Sequence, residues 1–326
     1  MSVFAVGIDV SKKTLDVCAL VKQGKQHQQF SNTPQGHEAL AQWLEQWAAD
    51  VHIALEATGR YGDAVASYLY SQGYAVSLIN PLRVKAFGQS LLSRAKTDRH
   101  DAYLIALFCQ MHRPALWQPS TPIIIQLKEQ TRYLKSLKQM RQQEVNRLKS
   151  GLQDQCVKAI LETNIAHLEQ QIQHLEKQIH QAIRQDPALS QAYQLLDTIP
   201  GLGKTTIPIL LAEIGRIDRF GSAGQLACYA GITPKLHQSG TSVYKRSRIS
   251  KQGNKHLRTA LYFPAIVAKS KNPICLQLAQ RLEKEGKAGK QIVVAVMRKL
   301  LHLAYGVLKS GQAFDPNFVK QIPIAA

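Results

Sequence analysis

Leu161, Ile165, Leu168, Ile172, Leu175, Ile179 and Ala182 follow one another at steps of 4, 3, 4, 3, 4 and 3 residues. An α-helix returns every member of such a series to one face, and three heptads of it form an apolar seam that another helix must cover. The pattern therefore predicts a long helical arm, closed by Asp186-Pro187. A second helix over about residues 125–152 can fold back on the seam, or the seam can pair between chains. Pro114, Pro119 and Pro122 mark a boundary just upstream. The chain of 326 residues is long for a single core. It is read as three parts: 1–118, an arm over 119–187, and 188–326. The arm serves as a spacer or oligomerisation element and carries no chemical site.

The first part alternates like a meander over residues 3–31, with breaks at Ser11-Lys12-Lys13 and Gly24. A helix from about Pro34, a buried strand from Val51 to Glu56, a helix over 61–72, a strand over 75–79 and helical segments to about His112 follow. Three antiparallel strands and then alternating α and β elements is the order of a ribonuclease-H-like α/β domain. Asp9 ends the first strand, Glu56 ends another, and Asp98 and Asp101 share a helical face at i, i+3. Singly each has an ordinary explanation, Asp98 as a helix N-cap for example. Together, on otherwise apolar elements, they are costly unless something positive joins them. Four hard oxygen donors suit Mg²⁺ or Mn²⁺. Gly7-Ile8-Asp9 also looks like the first phosphate loop of sugar kinases and actin-like ATPases. No second phosphate loop or adenosine motif accompanies it.

Charge divides the chain unevenly. Residues 1–120 hold 11 basic and 9 acidic side chains, whereas residues 121–326 hold 30 and 13. From Arg219 to Arg281 there are eleven Lys and Arg and no Asp or Glu. A run that never mixes signs fits a polyanion, whose bound counterions are released on contact. Residues 188–326 read as mainly helical, punctuated by Ile199-Pro200-Gly201-Leu202-Gly203-Lys204-Thr205. That punctuation is like the turn of helix-hairpin-helix nucleic-acid binders, in which glycines expose backbone amides to phosphate. Gly201, Gly203, Lys204 and Thr205 are its candidate contacts. Among the cations sit Ser239, Ser242, Ser247 and Ser250, with Lys245, Arg246, Arg248 and Lys251 able to hold a scissile phosphate. The residues alone do not choose among these serines, although the glycine after Ser239 permits close backbone approach.

Five scattered cysteines without a C-x-x-C pair argue against a disulfide framework and a structural zinc site. No leader pattern and no uninterrupted apolar stretch of about 18 residues is visible, so the chain reads as cytoplasmic, with no membrane partner.

Taken in order, Gly7-Ile8-Asp9, Leu15-Asp16-Val17, Glu56-Ala57-Thr58-Gly59, Asn80-Pro81 and Lys96-Thr97-Asp98-x-x-Asp101-Ala102 are family marks. Ile199-Pro200-Gly201-Leu202-Gly203, Tyr229-Ala230-Gly231-Ile232-Thr233-Pro234, Gln238-Ser239-Gly240 and Arg298-Lys299-Leu300 complete the set. With these the chain resembles, over essentially its whole length, bacterial transposases of the "insertion sequence one-ten" family, which include the pilin-gene invertases. The resemblance implies a RuvC-like domain with Asp9, Glu56, Asp98 and Asp101 as metal ligands, and Ser239 as nucleophile. It also implies a structured guide ("bridge") RNA, element-end and target DNA as partners, and dimers that join into a tetramer. Two rivals belong to other classes: a metal-dependent nuclease resembling junction resolvases, which needs no serine, and a non-catalytic helix-hairpin-helix binder.

Overall fold

Strand pairing follows the N-terminal alternation. In the computed structural model, which describes residues 4–22, 24–47, 51–57, 59–92, 97–239 and 243–317, residues 1–119 and 120–326 form separate compact units. The first unit contains β1 (Phe4–Val10), β2 (Thr14–Val21), β3 (Gly24–Ser31), α1 (Pro34–Glu45), β4 (Val51–Glu56), α2 (Arg60–Ser71), β5 (Ala75–Ile79), α3 (Pro81–Ser90) and α4 (Asp98–His112). The sheet runs β3-β2-β1-β4-β5. β1, β2 and β3 are antiparallel neighbours, while β4 lies parallel to β1 and β5 parallel to β4. This order and sense are compatible with the ribonuclease-H-like arrangement.

The two faces of the sheet are built from different sizes of side chain. Val6, Ile8, Val10, Val17, Ile53 and Leu55 are buried in one cluster with Leu40 and Leu44 of α1 and Val65 and Leu69 of α2. The other face offers Ala5, Gly7 and Ala54, and there α3 and α4 bury Val84, Leu104, Ile105 and Phe108. At Gly7 a Cβ would overlap the Ala102 carbonyl and the Ala106 amide. The absence of that atom lets α4 lie directly on β1, which carries the first turn of α4 toward the end of the strand where Asp9 stands.

The second unit contains α5 (Pro122–Leu148), α6 (Gln155–Gln185), α7 (Pro187–Asp197), α8 (Ile207–Ile214), α9 (Ala223–Tyr229), β6 (Pro234–Ser239), β7 (Val243–Ile249), α10 (Lys255–Ala260), α11 (Tyr262–Lys271), α12 (Pro273–Lys284) and α13 (Gly289–Ser310). The seam lies on α6, and α5 folds back against it within the chain. Leu161, Ile172, Ile179 and Ala182 are buried. Ion pairs Lys138–Glu176 (2.6 Å) and Arg141–Glu169 (3.2 Å) cross between the two helices. The base of this hairpin shares one core with the later helices, from Leu127 and Ile183 through Leu210 and Leu257 to Leu300.

Where the sequence reads as helical, an antiparallel pair, β6 and β7, interrupts the helices. Its basis is visible in retrospect. Val243, Tyr244 and Ile249 favour extended backbone, and extension spaces the crowded cations farther apart than a helix would. Among the described residues α13 is the one helix long and apolar enough to cross a membrane. Its Ile292, Val296, Leu300, Leu301 and Ala304 are core residues of the second unit, so it has the character of a buried core helix.

Candidate active site

Register brings the acidic groups of the first unit together. Asp9 is paired with Asp16 across β1 and β2, and Ile8 is paired with Leu55, placing Glu56 beside Asp9 on the parallel strand. Asp98 and Asp101 occupy the first turn of α4. That helix is capped by Thr97, whose hydroxyl accepts from the His100 amide at 3.2 Å. The N-cap role open to Asp98 in the sequence is thus taken by its neighbour. Both aspartates lie where the helix dipole favours negative charge.

Burial and like charge act together on these groups. Burial, then the charges of Asp98, Asp101 and Asp16, push the Asp9 pKa up from 3.8 to about 6. Burial, then Asp9 and Asp101, push Glu56 up as well. Asp16 is the group whose part sequence reasoning missed: its type was visible, but its place opposite Asp9 depends on register. Both of its carboxylate oxygens accept from Gln29 Nε2 at 3.1 Å. Among the described residues no three His, Cys, Asp or Glu side chains close into a ready metal cage. The donors are nonetheless all hard oxygens, and a divalent cation would offset both the burial and the like charge that raise Asp9. Asp9, Glu56, Asp98 and Asp101 thus offer the kind of donor that a divalent cation takes.

The raised Asp9 pKa has a measurable consequence. Between about pH 4 and 6 the unfolded chain has released the Asp9 proton and the folded chain has kept it, so Asp9 lowers stability progressively as pH rises through that window. In chelator, the thermal midpoint of wild type minus that of Asp9→Asn should fall from pH 4 to 6 and then level off. Mg²⁺ should restore more of it at pH 7 than at pH 4.5. A difference that is flat with pH would show that burial and the neighbouring charges do not raise Asp9.

In the second unit Ser239 ends β6, with its backbone opposite Val243, and the hairpin tip, Gly240 to Ser242, lies outside the described residues. Lys245, Arg246 and Arg248 lie on β7, and Lys251 follows at positive φ (54°). The base of the hairpin is firmly held. Ser250 N–H donates to the Thr233 carbonyl (2.9 Å), Lys251 N–H to Gly231 (3.1 Å) and Asn254 N–H to Tyr229 (2.6 Å). At Gly231 and Gly253, both at positive φ, a Cβ would collide with the opposing backbone. The Tyr229–Pro234 block is thus a clamp across both ends of the hairpin.

Glu213, 1% exposed, fastens that clamp to the arm. It accepts from Arg132 Nε (2.7 Å) and Nη2 (2.9 Å) on α5, and from Asn254 Nδ2 (2.8 Å). Burial pushes its carboxyl pKa up, but these hydrogen bonds and the Arg132 charge outweigh it and hold the pKa below the usual range. A lone acid in Ile207-Pro208-Ile209-Leu210-Leu211-Ala212-Glu213-Ile214 was the available signal. Its partner, 81 residues away, was not readable.

The turn at Gly201 and Gly203 joins α7 to α8. Gly201 has φ 105°, and a Cβ there would stand 2.6 Å from Ala268 Cβ on α11. This glycine serves packing within the unit. Gly203 has open space around it, and Lys204 and Thr205 are exposed.

Residues 6–157 match a DEDD-type domain described as "Transposase", and residues 193–280 match "Transposase IS116/IS110/IS902 family". The pilin gene-inverting protein of Moraxella bovis is 38% identical over 320 residues, 97% of this chain and 98% of that protein. The chain belongs to the IS110 family of transposases. The Moraxella lacunata pilin gene-inverting protein is similar to the same extent. The transposase for insertion sequence element IS1111A of Coxiella burnetii is 38% identical over 68 residues, 21% of this chain and 18% of that protein. Membership implies an enzyme that recombines DNA, and a DEDD domain implies divalent-metal dependence in general.

Proposed function

We propose that the chain cuts and rejoins DNA strands through a 5′-phosphoserine at Ser239, moving an insertion sequence. What supports this reading is the placement of Asp9 and Glu56 on neighbouring strands, with Asp9 raised by burial and then by the charges of Asp98 and Asp101 in the first turn of α4. The Ser239 oxygen attacks phosphorus, the bond to the 3′ oxygen breaks, and the serine proton ends on the released 3′ hydroxyl. Religation reverses this: a 3′ hydroxyl attacks the phosphoserine and the serine leaves with its proton, so no ATP is consumed. Lys245, Arg246, Arg248 and Lys251 hold the phosphate and offset the charge built up in displacement. Asp9, Glu56, Asp98 and Asp101 would hold Mg²⁺ or Mn²⁺, which supplies polarisation of the phosphate and easier loss of the serine proton. A structured guide RNA chooses the DNA partners, and the chain acts as a dimer that assembles into a tetramer. The serine and the carboxylates belong to different units, so either unit of one chain can serve the other unit of another.

The test is the product. Purified chain with its co-expressed flanking RNA, Mg²⁺ and a plasmid bearing element ends and target should yield new sealed junctions. Removing the RNA should abolish target choice. Linear cleaved DNA without junctions would assign the chain to the nucleases instead.

A further inference from the structure

We propose that the arm is one wall of a DNA-backbone groove whose other wall is the turn entering α8, with Lys177, Arg184 and Lys204 as its phosphate contacts. The proposal rests on the DNA-acting reading above and adds a surface to it. An open groove of about 750 Å³ lies between α5, α6 and the start of α8 in the second unit. Its floor includes Leu134, Ile179 and Pro208, and Lys177, Arg184, Lys204 and Thr205 also line it. All three cations are exposed.

Some cations elsewhere in this unit are matched. Lys138 holds Glu176, Arg141 holds Glu169, Lys269 holds Glu283 and Lys309 holds Asp218. In the groove the one acid, Glu176, already faces Lys138 (2.6 Å). Among the described residues Lys177, Arg184 and Lys204 form no ion pair with a carboxylate. His180, on the groove wall, has its pKa lowered by burial and then by the charge of Arg184, which with Lys204 outweighs the opposing charge of Glu176. The cations of arm and turn therefore act on a common point, although they come from separate elements.

Like charges gathered around a concave surface raise its potential, and a phosphate chain is the partner that relieves it. The aliphatic floor lacks the exposed aromatic platform that a single strand's bases would need. We therefore assign the groove to the backbone of duplex DNA, with Gly203 leaving room for close approach at one edge.

The test compares full-length wild type, Lys177→Gln/Arg184→Gln and the charge-matched control Lys287→Gln/Lys290→Gln, using a labelled 30-base-pair duplex of random sequence over a salt series. The groove variant should bind at least ten-fold more weakly at low salt. Its slope of log affinity against log salt should be shallower by about 1.8, two phosphates' worth. The control should fall less than three-fold, and Lys177→Arg/Arg184→Lys should restore binding. Equal losses in groove variant and control, or no change in slope, would overturn the assignment. So would a groove variant that keeps duplex affinity but loses its oligomeric state in sedimentation, because the groove would then seat a second copy of the chain. A larger loss for RNA duplex than for DNA would hand the groove to RNA. Failure of wild type itself to bind DNA would instead undo the functional reading.

Discussion

Ser239→Ala should eliminate the covalent protein–DNA adduct and reduce strand exchange by about 10³-fold or more, the scale on which removal of an enzyme nucleophile acts. Alanine at the end of β6 keeps the backbone pairing with Val243, so the loss would report chemistry rather than folding. The clamp at Tyr229–Pro234 and the Glu213 network hold the hairpin from its base. Ser242→Ala and Ser247→Ala should retain at least partial activity, because a hydroxyl that only touches phosphate contributes about 1 kcal/mol. The measurement is denaturing electrophoresis with end-labelled DNA carrying a nick that blocks religation. A slow-migrating labelled band should appear with wild type and vanish with Ser239→Ala. Cut DNA without any band, undiminished in Ser239→Ala, would mean that water is the nucleophile.

How much of this was legible depended on the range of the interaction. The heptad seam predicted α6 because 4-3 spacing has one regular solution, and the alternation of residues 3–31 predicted β1 to β3 for the same reason. The pairing of Asp9 with Asp16 needed the register of two strands, which spacing alone does not fix. Gly7 was visible as a family mark, but its purpose, admitting α4 onto β1, appears only when the helix is placed. The β6–β7 hairpin was masked by its own chemistry. Lysine and arginine dominate the stretch, so the alternation of Val243 and Ile249 with polar residues carried little weight beside the charge. The turn at Gly201 divided into two roles, since that glycine packs on Ala268 while Gly203, Lys204 and Thr205 stay open. Glu213 and Arg132 belong to a tertiary network, and no local pattern links residues so far apart.

The carboxylates allow the second large effect to be separated from instability. Asp98→Asn, Asp101→Asn and Glu56→Gln each keep side-chain volume and remove one negative charge. A residue whose role is to hold the fold lowers the thermal midpoint when replaced. Here the opposite is expected in metal-free buffer, because Asp9 is pushed up to about 6 partly by Asp98 and Asp101, and deleting either charge relieves that repulsion. The midpoint should therefore stay level or rise at pH 7, while recombination drops by about 10³-fold or more as ligands of an essential cation are lost. Mg²⁺ should raise the midpoint of wild type and do so less for each variant. The Asp98→Asn/Asp101→Asn double variant should bind DNA with nearly wild-type affinity, since the basic surface lies in the other unit, yet form no adduct at Ser239. Adduct formation by that variant in excess chelator would remove the metal from the mechanism. A collapse of its midpoint would return Asp98 and Asp101 to the ordinary duty of stabilising the first turn of a helix.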